Sequence, residues 1–194
     1  MPHSADVTDE AAMETLVHAV NERFGRIDVL VNNDGAGTPT PATAEKLDDL
    51  RATLELNLVA VFKLARLVAV PMLEAKSGSI INIASIYGQG SSWPIPNGSY
   101  TSAKGAVINL TRELGCQAGD GVRVNAIAPG FFPAESTRAL ATDEALSAHI
   151  VRRTPMRRLG LPHELDGALI FLASEASSYV TGQTITVDGG WTSH

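Results

Sequence analysis

Tyr100 and Lys104 stand four residues apart in a segment patterned as a helix. Their side chains therefore share one face, about 6 Å apart along the axis. A phenol keeps its proton to about pH 10, and a neighbouring ammonium favours the phenolate and lowers that value. Such a pair can serve as a general acid/base near neutral pH; the plainer alternative is a surface tyrosine beside a solvated lysine. Ser85 directly follows the apolar, β-branched run Ser79–Ala84. That places its hydroxyl at the rim of a sheet, where it can donate to a carbonyl oxygen or simply end the strand as a turn serine. Asn57 sits among Leu54, Leu56, Leu58, Val59 and Val61; a buried carboxamide must find partners or hold a water.

These residues need elements to position them. Met13, Leu16, Val17, Val20 and Phe24 form a helical stripe, with Thr8 or Asp9 to cap its start and Gly25 to end it. Residues 27–31 predict a short buried strand, broken by Asn32–Gly37 with Pro39 and Pro41 beyond. From Ala44 to about Ala75 the pattern predicts two helices, with Pro71 kinking or ending the second. Strands are expected at 79–84, 122–128 and 183–187, and helices at 99–114 and from Pro162 to Ser174. Residues 85–97 read as a loop, and 131–160 as irregular with some helix. Short apolar strands alternating with helices predict an α/β fold, a doubly wound parallel sheet in a single domain of residues 1–194. In such sheets ligands bind beyond the carboxyl ends of the strands, which here means Asn32–Gly37, Ser85–Tyr87 and Pro129–Phe132.

Composition narrows the function classes. A net charge of −6, with 44% hydrophobic and 19% charged residues, excludes a disordered or nucleic-acid-seeking chain. The basic cluster Arg152, Arg153, Arg157 and Arg158 is therefore read as solvated or subunit-facing. Cys116 is the only cysteine, which fits a reducing, cytoplasmic setting. Residues 1–15 are acidic and do not form a signal peptide. No apolar run is read as reaching the ~18 residues of a membrane span. The five histidines, His3, His18, His149, His163 and His194, lack metal-ligand spacing, so no metal site is expected. Trp93, Phe131 and Phe132 either wall an apolar pocket near the rim or close the core. Ser85, Asp188 and His194 follow the chain order of an α/β-hydrolase triad, but no G-x-S-x-G accompanies them. Nor is there a G-x-G-x-x-G anywhere.

In order along the chain, these segments resemble the short-chain dehydrogenase/reductase family. Residues 28–35 (DVLVNNDG) resemble its central strand and N-N-A-G turn, and residues 80–85 (IINIAS) the strand that carries its serine. Residues 100–106 (YTSAKGA) resemble its Y-x-x-x-K helix, 124–130 (VNAIAPG) its P-G segment, and 181–190 its last strand. The resemblance implies a Rossmann-like fold and an NAD(P)-dependent oxidoreductase interconverting an alcohol and a carbonyl, 3-oxoacyl-reductase-like or sugar-acid/polyol-dehydrogenase-like. It implies that Tyr100 exchanges the proton, Lys104 lowers the Tyr100 pKa and binds the nicotinamide ribose, Ser85 orients the carbonyl, and Asn57 holds a relay water. For NAD or NADP it implies contacts from Asp6 and Val7 to the adenine, since residues 5–7 resemble the end of the family's third strand. Asn32 and Gly35 would line the adenosine ribose side, and Pro129, Gly130 and Phe132 the nicotinamide end. Partners would be a small alcohol or carbonyl compound and further copies of the chain, as a dimer or tetramer, with no nucleic acid and no membrane.

Three departures from the family pattern stand out. Asp34 takes the place of the alanine of the turn, where a carboxylate repels a phosphate or perturbs the turn. The spacing from Ser85 to Tyr100 is longer than the family's commonest. The first two βα units, with the glycine-rich phosphate turn, are not found, which at ~30 residues per βαβ unit is about 55 to 60 residues before Ala5. On that expectation the chain is N-terminally truncated, with an open strand edge near residues 29–31, poor solubility and weakened cofactor binding. The alternative is an inactive remnant that acts only through association with complete subunits.

Overall fold

The computed structural model describes residues 3–134 and 142–193. Its centre is a parallel sheet of four strands: β1 (Val29–Asn32), β2 (Gly78–Ile83), β3 (Val122–Pro129) and β4 (Thr184–Val187). Their spatial order is their chain order, β1-β2-β3-β4. The register sets Val31 beside Ile81, Ile81 beside Asn125, and Ile127 beside Ile185. All carboxyl ends therefore reach one rim.

Alternation along the strands divides the core between two faces. Ile80 and Val124 meet Ala65, Val68 and Met72 of the long helix before β2, while Ala84 and Ala126 meet Val107 and Ile108 of α4 (Gly98–Gln117). On the other face Ile81 and Ile127 meet Leu172 of α6 (Asp166–Ala173). Each buried Val, Ile, Leu or Met among these stabilises the fold by roughly 1.5–3 kcal/mol before chain entropy is counted, and each alanine by less. The result is one α/β domain, Rossmann-like and covered on both sides, as expected. Helix α1 (Glu10–Phe24) starts at Asp9, whose Oδ1 accepts from the amides of Ala11 and Ala12, and ends at Gly25 with φ +78°. Helix α5 (Glu144–Arg153) lies between β3 and α6 in the chain.

Four expectations need correction. Residues 5–7 form no strand; the Asp6 carboxylate turns onto the Thr8 amide and hydroxyl at 2.8 and 2.7 Å. The helical region before β2 does not break in two: α2 (Leu47–Leu54) passes through one π turn (Glu55–Val59) into α3 (Ala60–Ala75). Pro71 lies inside α3 and does not end it; the Val68 and Met72 contacts that flank it hold the helix on the sheet. This run, Leu47–Ala75, is also long and apolar enough to cross a membrane by length and composition. Lys63 and Arg66 interrupt its apolar residues, and its apolar side faces the sheet. The helix expected from Pro162 opens as a 3₁₀ turn (Pro162–Leu165) and becomes α-helical only at Asp166. Among the described residues β1 pairs with β2 alone, and Val29 and Val31 are each 37% exposed.

Candidate active site

Ser85 is the second residue after β2, in extended backbone, and its Oγ accepts from the Tyr87 amide at 3.1 Å. The phenol of Tyr100, in the first turn of α4, borders the same cavity, and the Ser85 hydroxyl acts to lower its pKa. One turn further along α4, Lys104 is 2% exposed. Its Nζ donates to the Ile83 carbonyl at 2.8 Å and lies 5.6 Å from the centroid of the Tyr100 ring. The strand end and the helix thus hold three polar side chains at one place, with Ser85 and Lys104 each fixed by a backbone partner.

Asn57, fully buried, reaches the same place from the π turn. Its Nδ2 donates to Ala36 O at 2.7 Å and Thr53 O at 2.9 Å, while its Oδ1 has no partner. The i→i+5 pattern offsets the Asn57 side chain from the regular helical ladder. The loop after β1 fits over it only because Gly35 has no side chain. A Cβ there would stand 2.8 Å from Asn57 Oδ1 and 2.9 Å from Lys104 Nζ.

The charges do not follow the simple expectation. Burial pushes the Tyr100 pKa up, and the Ser85 hydrogen bond only partly opposes this. Lys104 is therefore not the dominant influence that lowers it. Burial instead pushes Lys104 itself down to about 8, and the negative charge of Asp34 partly restores it. Asp34 thus acts as a countercharge to Lys104. Tyr87 is pushed up to about 12 by burial and then by the nearby Tyr100.

Ser85, Tyr87 and Tyr100 border a cavity of about 380 Å³, lined also by Asn97, by the Gly35–Gly37 turn, and by Gly130 and Phe131. Phe131 packs edge-on against Tyr87 and Trp191, so it closes part of the core as well as one wall. Phe132 lines a second cavity of about 200 Å³, with its ring against Gly160 and Arg158 nearby. Val7 lines a third, of about 270 Å³, with Asn32, Asn33 and Asp34. Asp6 is exposed and borders none of these three. Asn32 does not offer a free amide there: its Nδ2 donates to Asn82 Oδ1 at 2.9 Å, and Asn82 donates on to Thr111. Pro129 ends β3, and Gly130 donates to Val187 O at 2.9 Å. Trp93 stands 71% exposed, away from these walls.

The structure adds Asn97, which in sequence reads only as the end of the loop 85–97; Tyr87, placed at the rim from sequence, lines the same cavity. The hydrolase alternative turns on His194, and of its other members only Ser85 borders the cavity. Asp188 accepts from the amides of Gly190 and Thr192, each at 2.8 Å, and His194 lies outside the described residues. Among the described residues no cluster of histidine, cysteine or carboxylates is arranged to hold a metal.

A family model described as enoyl-(acyl carrier protein) reductase matches residues 2–192. The 3-oxoacyl-[acyl-carrier-protein] reductase of Thermotoga maritima is 38% identical over 193 residues, covering 97% of this chain and 76% of its own length. The 5-keto-D-gluconate 5-reductase of Escherichia coli K12 is 40% identical over 187 residues, covering 95% of this chain and 72% of the relative. Among solved structures, a gluconate 5-dehydrogenase from Burkholderia cenocepacia J2315, in complex with NADP and tartrate, superposes with a TM-score of 0.92 at 40% identity. That match covers 97% of this chain and 74% of the other. These relatives are named as reductases and dehydrogenases, and they give no support to the alternative of an inactive remnant.

Proposed function

The chain belongs to the short-chain dehydrogenase/reductase family, whose relatives are oxidoreductases, and on that premise we propose that it interconverts a small alcohol and its carbonyl with NAD or NADP. The observation that carries this reading is the meeting of Ser85, Tyr100, Lys104 and Asn57 at the carboxyl ends of the strands, with Ser85 and Tyr100 lining one cavity and Lys104 and Asn57 buried under the Gly35 turn.

The residues fit a nicotinamide cofactor in three respects. Asn57 Oδ1 is buried without a partner. Lys104 uses one of its three donors on Ile83. Gly35 and Gly130 let the two loops close tightly at the rim, one onto Lys104 and Asn57 and the other onto Asp188, where a Cβ would collide. Lys104 and Asn57 would hold the ribose and a bridging water, with Pro129, Gly130 and Phe132 at the nicotinamide end and Val7, Asn32 and Gly35 toward the adenosine. When bound, the cofactor supplies or accepts the hydride.

The chain's own groups manage the proton. Ser85 donates to the carbonyl oxygen and fixes its position. Tyr100 holds a proton on its phenol oxygen and gives it to that oxygen as negative charge develops there. Lys104, charged at neutral pH, stabilises the phenolate left behind. Asn57 orients the water that restores the proton. Because burial keeps Tyr100 protonated, the site suits carbonyl reduction at neutral pH. The reading also takes the protein as a single-domain, cytoplasmic homo-oligomer, a dimer or tetramer. Phe62, Val70 and Leu73 leave exposed apolar surface on α3 for such contacts.

The test is turnover of simple ketones with NADH and with NADPH, followed as loss of the reduced cofactor. Consumption that depends on both ketone and Tyr100 supports the reading. No consumption, and no thermal shift with either cofactor, removes it.

A further inference from the structure

Phe131 follows Pro129 and Gly130 at the carboxyl end of β3. It borders two cavities, the one of about 380 Å³ that Ser85 and Tyr100 line and the one of about 200 Å³ beside Phe132. Of the described residues it alone lines both. Its side chain is therefore the partition between them.

Neighbours hold the ring in place. It meets Tyr87 edge-on, with centroids 6.0 Å apart and planes at 81°, and meets Trp191 at 4.7 Å and 73°. Aromatic pairs favour this arrangement over a face-to-face one. Trp191 is 8% exposed, clusters with Ile86 and Ile150, and has the Arg153 guanidinium 4.6 Å from its ring centroid. The backbone is held separately: Gly130 donates to Val187 O and Gly160 donates to Phe131 O, each at 2.9 Å. Shortening the side chain at 131 thus opens space where the ring stood, while the strand end keeps its ties.

The second cavity can receive hydrocarbon. Phe132, Met156 and Val187 supply apolar wall. Its charged groups are already bound: Arg158 and Glu164 share two hydrogen bonds of 2.6 and 2.7 Å, and Asp188 accepts from the amides of Gly190 and Thr192. Around Phe131 the first cavity is walled by Ile86, Tyr87 and Leu146. Ser85 and Tyr100 hold the reacting oxygen there under the function proposed above, on which this inference rests.

We propose that Phe131 is a specificity-determining residue: its ring closes the reaction cavity against the second one and limits the length of one substituent of the ketone, so that the enzyme selects ketones with short substituents. Removing the ring joins the two spaces, and a longer chain then gains a burial that the wild type withholds.

The experiment measures kcat/KM for butan-2-one and octan-2-one with the wild type, Phe131→Ala and Phe131→Val, and reads the ratio of octan-2-one to butan-2-one. Damage to the fold or to the proton chemistry lowers both values and leaves the ratio unchanged, whereas loss of the partition raises it. Alanine should raise the ratio about tenfold, which corresponds to about two newly buried methylenes. Valine keeps an apolar side chain beside Trp191 and serves if alanine does not fold; it should raise the ratio about fourfold, which corresponds to about one. A ratio unchanged by alanine, or by valine where alanine does not fold, overturns the proposal, as does a wild type that favours octan-2-one. Calorimetric binding of octan-2-ol and butan-2-ol to the same proteins reads the partition without turnover. A relative gain for octan-2-ol in the variants supports the proposal, and the same selectivity in variants and wild type overturns it. Failure of the wild type to turn over either ketone counts against the reductase reading, while the calorimetry still decides on Phe131.

Discussion

Asn57 and Lys104 converge on one point above Gly35: the carboxamide oxygen lies 2.8 Å and the ammonium 2.9 Å from where a Gly35 Cβ would be. One side chain comes from a π turn and the other from the helix after β2, and the glycine turn between them is what lets them meet.

Gly35→Ala is expected to damage activity more than stability. The added methyl pushes aside two buried side-chain ends, one of them tied to Ile83 O. We expect a loss of about 1–3 kcal/mol in urea unfolding, the usual cost of overpacking. Ketone reduction should fall at least about tenfold. Equal activity in the variant would show that the Asn57–Lys104 approach is not needed.

Tyr100→Phe should remove about 10²–10⁴-fold of the reductase rate, the range that positioned acid/base groups supply. The fold should be kept, because the ring still packs on Gly37. The comparison is kcat at saturating ketone, with circular dichroism to verify the fold.

Lys104 gives a pH dependence with a definite sign. Its pKa is about 8 in the fold and near 10.5 in the unfolded chain, so the unfolded state binds more protons between those values. Stability must therefore rise with pH through that window. Below about pH 8 the buried charge costs on the order of 3 kcal/mol. Urea unfolding of wild type and Lys104→Met at pH 7 and pH 10 should show the wild type gaining on the variant as pH rises. A gap that stays constant contradicts the burial argument.

Glu164 has the opposite sign. Hydrogen bonds from the Arg158 guanidinium, then from the Leu161 amide, hold its carboxyl at about 2. Its contribution is fully present above about pH 4.5 and is lost as pH falls toward 2. Glu164→Gln should lower the Tm at pH 6 and make little difference at pH 2.5.

Asn82 links Asn32 to Thr111 inside the sheet and is fully buried. Asn82→Ala should cost about 2–4 kcal/mol in urea unfolding, because the Asn32 amide loses its acceptor, Thr111 loses a donor while keeping its bond to Val107 O, and a small void is left. Asn32→Ala should cost less, since it removes only the end of the chain of bonds.

The sequence by itself determined the parallel sheet, the place of each strand to within about two residues, the Asp9 and Gly25 ends of α1, and the joining of Ser85, Tyr100 and Lys104 at one rim. Those features follow from local rules: apolar periodicity, capping chemistry and the fixed pitch of a helix. The tertiary structure alone decided the rest. The π turn at Asn57 and the passage of α3 through Pro71 depend on contacts across the sheet, which outweigh the local preference of the chain. The fate of Asn32 was set by Asn82, 50 positions away. The Tyr100 pKa moved up rather than down because desolvation depends on what surrounds the phenol, and spacing along a helix carries no information about that. Asn97, in sequence only the end of a loop, is buried against Gly37, with its Oδ1 unpartnered, because the loop after β1 folds over it.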